Sequence, residues 1–400
     1  MHDPGLTELE RRRLDAKLTR LQSYLESDPA NAMLALETFE AAFALGRLDI
    51  AESSLAGVST QSPHAGPVRF RLANLRIAQQ RLPEAAELLD ALQHQFGIQP
   101  GFTQTRALLH FVGSNFEQCV ATLAPCVDKR APLWAESIAQ HAAIDNTSRA
   151  ELQMLWLRSL HRLGELDRAW AWIQDARTTD QLTPAAAGVA CLIALDGGPL
   201  SAIEELAERS GMHPASRPEV LLALGSLQLH HKNGAQAREH LNALLALDKA
   251  NGRAWSTLAF VHMMESKPEL AIDSFDRAID VMPNHAGTWI GLGWARLLAK
   301  WPIADTKAAF QTAVDVDHNF AEGHGCVAVA LAIEGKRQDA LQSIIKAKRL
   351  DKRCWSSQFA QMILDGKAGD AALVERLAQQ LLASASASER RPARKRANAR

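Results

Sequence analysis

No stretch of the 400 residues approaches the ~18–20 consecutive apolar residues that a membrane-spanning helix needs. No charge of one sign predominates. The 44 Lys and Arg and the 45 Asp and Glu leave a formal net charge of -1, which argues against a surface that binds polyanions generally. Cysteine is sparse: five residues, at 119, 126, 191, 326 and 354. An odd count without dense spacing excludes a secreted disulfide framework and fits a reducing cytosol. No cysteine before 119 is available for a lipoprotein anchor, and the charge-crowded residues 8–20 stand where a signal peptide would have its apolar core. Phosphate loop, dinucleotide fingerprint, nucleophile elbow and zinc-protease helix motif are all missing. These absences point to a cytoplasmic, non-enzymatic protein with no cofactor and no evident small-molecule substrate.

What is present is apolar surface. Hydrophobic residues make up 47% and charged residues 22%, enough for a buried core through most of the chain. The length allows about two or three ordinary domains, or one long repeat array. Charge is segregated at one end: residues 389–400 hold six basic residues and one acidic, so the tail is basic and the remainder mildly acidic.

A period of 34 organises the rest. In a frame starting at Gly252, Trp255 falls at position 4, Leu258 at 7, Ala259 at 8, Ala271 at 20, Phe275 at 24, Ala278 at 27 and Pro283 at 32. Stepping by 34 from Pro218 places Leu221, Leu224, Gly225, Ala237, Leu241 and Leu244. From Ala150 it places Trp156, Leu157, Ala169, Ile173 and Ala176. Starts at Ala32, Gly66 and Pro100 put Ala51, Ala85 and Cys119 at position 20. The start at Ala286 gives Trp289, Leu292 and Gly293, then slips by one residue at Trp301-Pro302. A unit from Ala321 carries Ala328, Ala340, Ile344 and Ala347; the unit from Pro184 is the weakest. This pattern resembles the tetratricopeptide repeat over nearly the whole chain, in about nine units.

The physical reason for the pattern is that two short helices, A and B, cannot bury their apolar faces alone. Small residues at 8 and 20 let A approach B, and large ones at 4, 7, 11 and 24 fill the crossing. Breakers mark the A-to-B turns at Gly46, Gly164, Asn233-Gly234 and Gly335. Asp28 before Pro29, Thr183 before Pro184, and Ser148 with Glu151 read as helix starts. The resemblance implies an all-α, right-handed superhelix of helix-turn-helix repeats with helical caps. Residues 1–31 form an N-terminal capping helix, 32–133 a first lobe of three repeats, 134–149 an inserted helix and loop, and 150–354 a second lobe of six. Residues 355–383 are expected to be a C-terminal helical cap, and 384–400 a disordered basic tail.

Candidate chemistry mostly dissolves into this frame. Cys119 and Cys126 share a helix face but occupy positions 20 and 27, where a small buried residue is wanted, and Cys191 sits at position 8. His318, His324 and Cys326 lack a fourth ligand, and His230 and His231 point about 100° apart, so no metal site is expected.

The most specific feature is a stripe. In the resembled family, positions 2, 5, 9, 12 and 13 of helix A line the concave groove. Here they supply Leu222, Leu229 and His230, then Phe260, Met263 and Met264, then Ile290, Trp294, Leu297 and Leu298. A contiguous apolar stripe at positions the fold leaves open marks a binding surface, and methionine lets it adapt. The alternative is that a neighbouring helix or cap covers it. A more mixed second stripe in the first lobe holds Leu36, Phe43, Phe70, Asn74, Ile77 and Phe111. Position 5 is never lysine, so the family's clamp for chaperone C-terminal carboxylates is not expected, and Arg71, Thr105 and Leu155 break the asparagine ladder of its sugar-transferase members.

The reading is a scaffold, adaptor or chaperone that holds an apolar or amphipathic segment of a protein or peptide in its groove. The Ala/Arg/Leu-rich composition suggests a bacterium, where such arrays serve secretion, envelope or pilus assembly. The alternative is a regulator that contacts nucleic acid through Arg390, Arg391, Arg394, Lys395, Arg396 and Arg400.

Overall fold

The computed structural model describes residues 8–59, 63–97, 99–131, 146–211 and 217–367, and every regular element in them is helical. Two compact units divide the chain at Leu163 and Gly164.

The first unit opens with α1 (Glu8–Ser27), which buries Leu18 and Leu21 against the first repeat. Three A/B pairs follow: α2 (Ala32–Ala44) with α3 (Leu48–Leu55), α4 (Ala65–Ala78) with α5 (Leu82–Phe96), and α6 (Pro100–Val112) with α7 (Phe116–Val127). The helix α8 (Asn146–Leu163) packs on α7 and α6, with Trp156, Leu157 and Leu160 fully buried.

In the second unit α9 (Leu166–Thr178) leads into α10 (Pro184–Gly197), a 3-10 turn (Leu200–Ala202) and the short α11 (Ile203–Arg209). Then come α12 (Pro218–His230) with α13 (Gly234–Leu247), α14 (Gly252–Met264) with α15 (Pro268–Val281), and α16 (Ala286–Leu298) with α17 (Ile303–Val316). The last are α18 (Ala321–Ile333) with α19 (Arg337–Leu350), and α20 (Trp355–Leu364), which packs on α18 and α19. The weak unit at Pro184 has the short, irregular B helix, and the one-residue slip at Trp301-Pro302 is a turn that delays α17 to Ile303.

Two local devices enforce the period. Every A-to-B turn among the described residues except that from α10 to α11 passes through one left-handed residue: Gly46, Gln80 and Ser114 in the first unit, and Gly164, Lys232, Ser266, Lys300 and Gly335 in the second. Gly366 after α20 has the same conformation. At Ser266 its N–H reaches the Met263 carbonyl at 3.0 Å, and the Lys267 N–H reaches back to His262 at 2.8 Å. These bonds satisfy carbonyls that the helix end leaves open. Only three of these six second-unit positions are glycine, and the breakers read from the sequence mark two of them, Gly164 and Gly335. At residues 232–234 the left-handed residue is Lys232, while Asn233 and Gly234 already open α13.

The second device is the N-cap. Asn31, Thr183, Asn251 and His285 each accept a hydrogen bond from the backbone N–H three residues on. Thr183 caps as its sequence implies, but Asp28 does not: α1 ends at Ser27, and Asp28 accepts from the Asn31 side chain at 3.1 Å. Ser148 and Glu151 open no capping box, because α8 already runs from Asn146.

The small positions work through close approach. A Cβ added to Gly293 on α16 would lie 2.3 Å from the Phe310 ring on α17, and one on Gly225 would lie 2.8 Å from Leu241. Phe275, Phe310 and Leu241 are fully buried in the spaces so made.

Candidate functional site

The stripe on the second unit's A helices is assembled by helical periodicity. Phe260, Met263 and Met264 share one face of α14, as do Ile290, Trp294, Leu297 and Leu298 on α16. Their surroundings differ. Leu222 on α12 is only 5% exposed, while Leu229 is half-buried and His230 is exposed. Phe260 meets Phe275 edge to face at 5.1 Å, so its inner side belongs to the core that holds Ala259, Leu292 and Ala295. Met263 and Met264 are half-buried, and Leu298 is 57% exposed.

Trp294 is wedged. Its ring lies 5.7 Å from Phe310 and 5.9 Å from Phe359 of α20, and its buried indole N–H has the Cys326 sulfur beside it. Trp294, Leu297, Phe359 and Ile363 all pack on the core of Ala328, Val329, Ile344 and Ala360. At this end, the terminal helix covers part of the stripe. Ile290 packs beside the buried Phe310, Cys326 and Ala330.

The first unit's stripe is tied down by polar bonds. Leu36 and Phe43 pack on the core beneath α1, with Phe43 stacked on Phe39 at 5.3 Å. Phe70 lies 5.5 Å from Phe102, Phe111 lies 5.5 Å from Phe116, and Ile77 is buried. The Asn74 amide donates to the Phe70 carbonyl at 2.9 Å, and its oxygen accepts from Thr105 at 3.5 Å. Arg71 donates to Glu40 at 2.8 Å, and Gln104 to Glu151. A rung of side-chain hydrogen bonds therefore crosses from each A helix to the next, where positions 5, 9, 12 and 13 of α12 to α18 in the second unit are uncharged. The tail residues Arg390, Arg391, Arg394, Lys395, Arg396 and Arg400 lie outside the described residues, as do 132–145 and 368–383.

Charges near the second stripe sit on its two edges. At the A-helix starts, Arg253 donates twice to Asp196 of α10, at 2.7 and 3.0 Å. Glu322 accepts from the backbone N–H groups of Trp355 and Ser356, capping α20. At the turn edge, Glu265 is held by Arg238 and Lys267, and Glu334 by Lys307 and Lys336. Hydrogen bonds from Lys307 and Lys336 hold the Glu334 carboxyl below the usual carboxylate range. The ammoniums of Lys232 and Lys300 meet no partner among the described residues, and both are exposed. Sequence reading passed over this rim, although Lys232 and Lys300 both stand at frame position 15. It also passed over Phe359, whose position 5 in the next frame was the available signal.

The thiols are poor nucleophiles. Burial pushes Cys126 up to about 11, and Cys191 and Cys354 up to about 12. His324 points its ring Nε2 at the His318 carbonyl, 2.9 Å away, and Cys326 is buried against Ser356. Among the described residues no group of His, Cys, Asp and Glu could hold a metal ion, and no helix is long and apolar enough to cross a membrane.

The family description "Tetratricopeptide repeat" matches residues 42–97, from the end of α2 through α5. Over these residues the chain carries the tetratricopeptide repeat, and helix pairs of the same kind continue through the described residues. No curated protein matches the chain. Among solved structures it is similar to MamA, at 20% identity over 45% of this chain and 94% of that one, with a TM-score of 0.34. It is similar also to the APC/C hetero-tetramer Cut9-Hcn1, at 13% identity over 94% and 85%, with a TM-score of 0.45. A third is YrrB, described as a TPR protein with an unusual peptide-binding site, at 16% identity over 57% and 97%, with a TM-score of 0.33.

Proposed function

We propose that this protein is a non-enzymatic interaction module that holds an apolar or amphipathic segment of a partner protein on the A-helix face of its second unit. Tetratricopeptide repeats are protein–protein interaction modules. One observation carries the choice of this face. From α12 to α18 groove positions 5, 9, 12 and 13 bear no Asp, Glu, Lys or Arg, charge being confined to position 2 at Glu219, Arg253 and Glu322, yet Phe260, Met263, Met264 and Leu298 keep part of their surface in water. Apolar area left open by an otherwise well-packed repeat gains about 25 cal/mol per Å2 when a partner covers it. Adaptable methionines suit a guest that is an amphipathic helix or an extended apolar segment. Raised thiol pKa values and the absence of nucleotide and hydrolase motifs support a role without catalysis. Five free cysteines, four of them buried, support a cytoplasmic setting.

Met264→Glu and Trp294→Glu separate binding from folding. The first is expected to leave the melt unchanged within about 0.5 kcal/mol and to abolish capture of partners that wild type captures from lysate. The second is expected to cost several kcal/mol, because it puts a charge between Phe310 and Phe359. Unchanged capture by Met264→Glu would move the site off this face.

The charge segregation in residues 389–400 favours a second reading, contact with nucleic acid through the tail. Deleting these residues should then remove retention on nucleic acid at low salt; unchanged retention would end that reading.

A further inference from the structure

We infer that the groove of the second unit takes an amphipathic segment bearing carboxylates along the edge that faces the A-to-B turns. This rests on the groove reading above and adds the partner's charge pattern.

The floor of the groove is uncharged, so any electrostatic selection comes from its edges. On the edge of A-helix starts, Arg253 is held by Asp196, and Glu322 by the first N–H groups of α20. On the turn edge the balance differs. Each carboxylate at an A-helix end is shared by two cations, Glu265 by Arg238 and Lys267, and Glu334 by Lys307 and Lys336. The carboxylates that open the B helices, Glu269, Asp305 and Asp339, lie in first turns, where the helix dipole already holds them. Two ammoniums, Lys232 and Lys300, are left with no carboxylate.

These two lysines flank the open part of the stripe. Lys232 follows His230 at the end of α12, and Lys300 follows the exposed Leu298 at the end of α16. Both take the left-handed turn position, with φ of 61° and 58°, so both stand at the same place in the repeat. They are two repeats apart. With neighbouring A helices packed about 8–10 Å apart, the ammoniums stand about 20 Å apart along the groove. A guest helix crossing the A helices would cover that span in about 13 residues, an extended guest in about six. Between them the Lys267–Glu265–Arg238 cluster adds excess positive charge. A carboxylate edge on the guest meets unpaired cations there. A basic edge meets ammoniums that have no counter-charge to share.

The test uses the full chain and two synthetic 18-residue helical peptides with the same Leu stripe, one edged with Glu and one with Lys. Fluorescence anisotropy gives their affinities for wild type, for the Lys232→Glu/Lys300→Glu variant and for Phe260→Glu. The Glu-edged peptide is expected to bind wild type about tenfold more tightly than the Lys-edged one at low salt. The preference should invert in the double variant and shrink at high salt. Equal binding of both peptides, lost in Phe260→Glu, would overturn the edge inference and leave the groove reading standing. Binding of neither would overturn both. Binding that appears only when residues 368–400 are removed would assign the groove to the chain's own C-terminal segment, and would also overturn the inference.

Discussion

His285 shows how much one side chain can be asked to do. It caps α16 by accepting the Thr288 N–H on Nδ1 at 3.3 Å, with the Thr288 hydroxyl 2.8 Å from the same atom. An accepting Nδ1 requires the neutral ring with its proton on Nε2. Burial, with Arg253 nearby, lowers the pKa below its usual value near 6.5. The unfolded chain therefore takes up a proton before the folded one does. Stability is full above about pH 6.5 and falls as the pH drops below it. Denaturant titrations at pH 7.5 and 5.5 should show a smaller loss in His285→Asn, which caps without titrating; an unchanged loss would remove His285 from this role. Glu334 acts at lower pH. Its depressed pKa gives stability that is present above its unfolded value near 4.5 and lost as the pH falls through the folded one. The left-handed turn residues make a third case. Ser266 holds φ 59° against its Cβ, and Gly335 holds φ 76° without one. Ser266→Gly should stabilise by a few tenths to about 1 kcal/mol, and Gly335→Ala should cost about 1 kcal/mol, read from urea midpoints.

At the scale of elements, the repeat is a pair of helices whose distance is set by glycine and alanine. Gly293→Ala places a methyl group inside the Phe310 ring and should cost about 1–3 kcal/mol, most of it recovered when Phe310 is shortened to Leu in the same chain. An independent sum of the two changes would mean that the helices part rather than the ring yields. This layer was legible beforehand, since position 8 and position 24 are adjacent in space only if the period is 34. The turns were legible at Gly46, Gly164 and Gly335. Lys232, Ser266 and Lys300 are forced into a conformation their side chains resist, and nothing local in those residues advertises it. The caps were legible at Thr183 and misread at Asp28, where the proline lies in the turn ahead of the helix instead of in its first turn.

At the scale of the whole molecule, the sequence frame and the structure agree on the order of the pairs, and what escaped the frame is long-range. Arg253 and Asp196 stand 57 residues apart and join α14 to α10 past the intervening pair. Asp196 is nearly buried, so Arg253→Ala should cost about 2–3 kcal/mol by leaving a carboxylate out of water, with Asp196→Asn restoring part of it. A loss no greater than 0.5 kcal/mol, measured in urea, would show that contacts other than Arg253 suffice to hold Asp196. Covering of the stripe by a cap was an open alternative in the sequence, but its place, Phe359 on Trp294, was not legible for the same reason. A frame position says which face a residue is on, but not which later helix comes to rest against it. The rim of Lys232 and Lys300 was invisible as a site because a lone lysine in a turn reads as solubility. Its meaning lies in the carboxylates that are missing around it.

The N-caps carry one more consequence. Asn251 ends one loop and His285 the next, 34 residues later, each immediately before an A helix. Joining residue 251 directly to 286 would remove a whole repeat without cutting a helix, and the cap of the lost unit would serve the unit that follows. Array length in this chain is therefore a quantity that a single recombination event can change by one whole step, in either direction, while every junction keeps its cap.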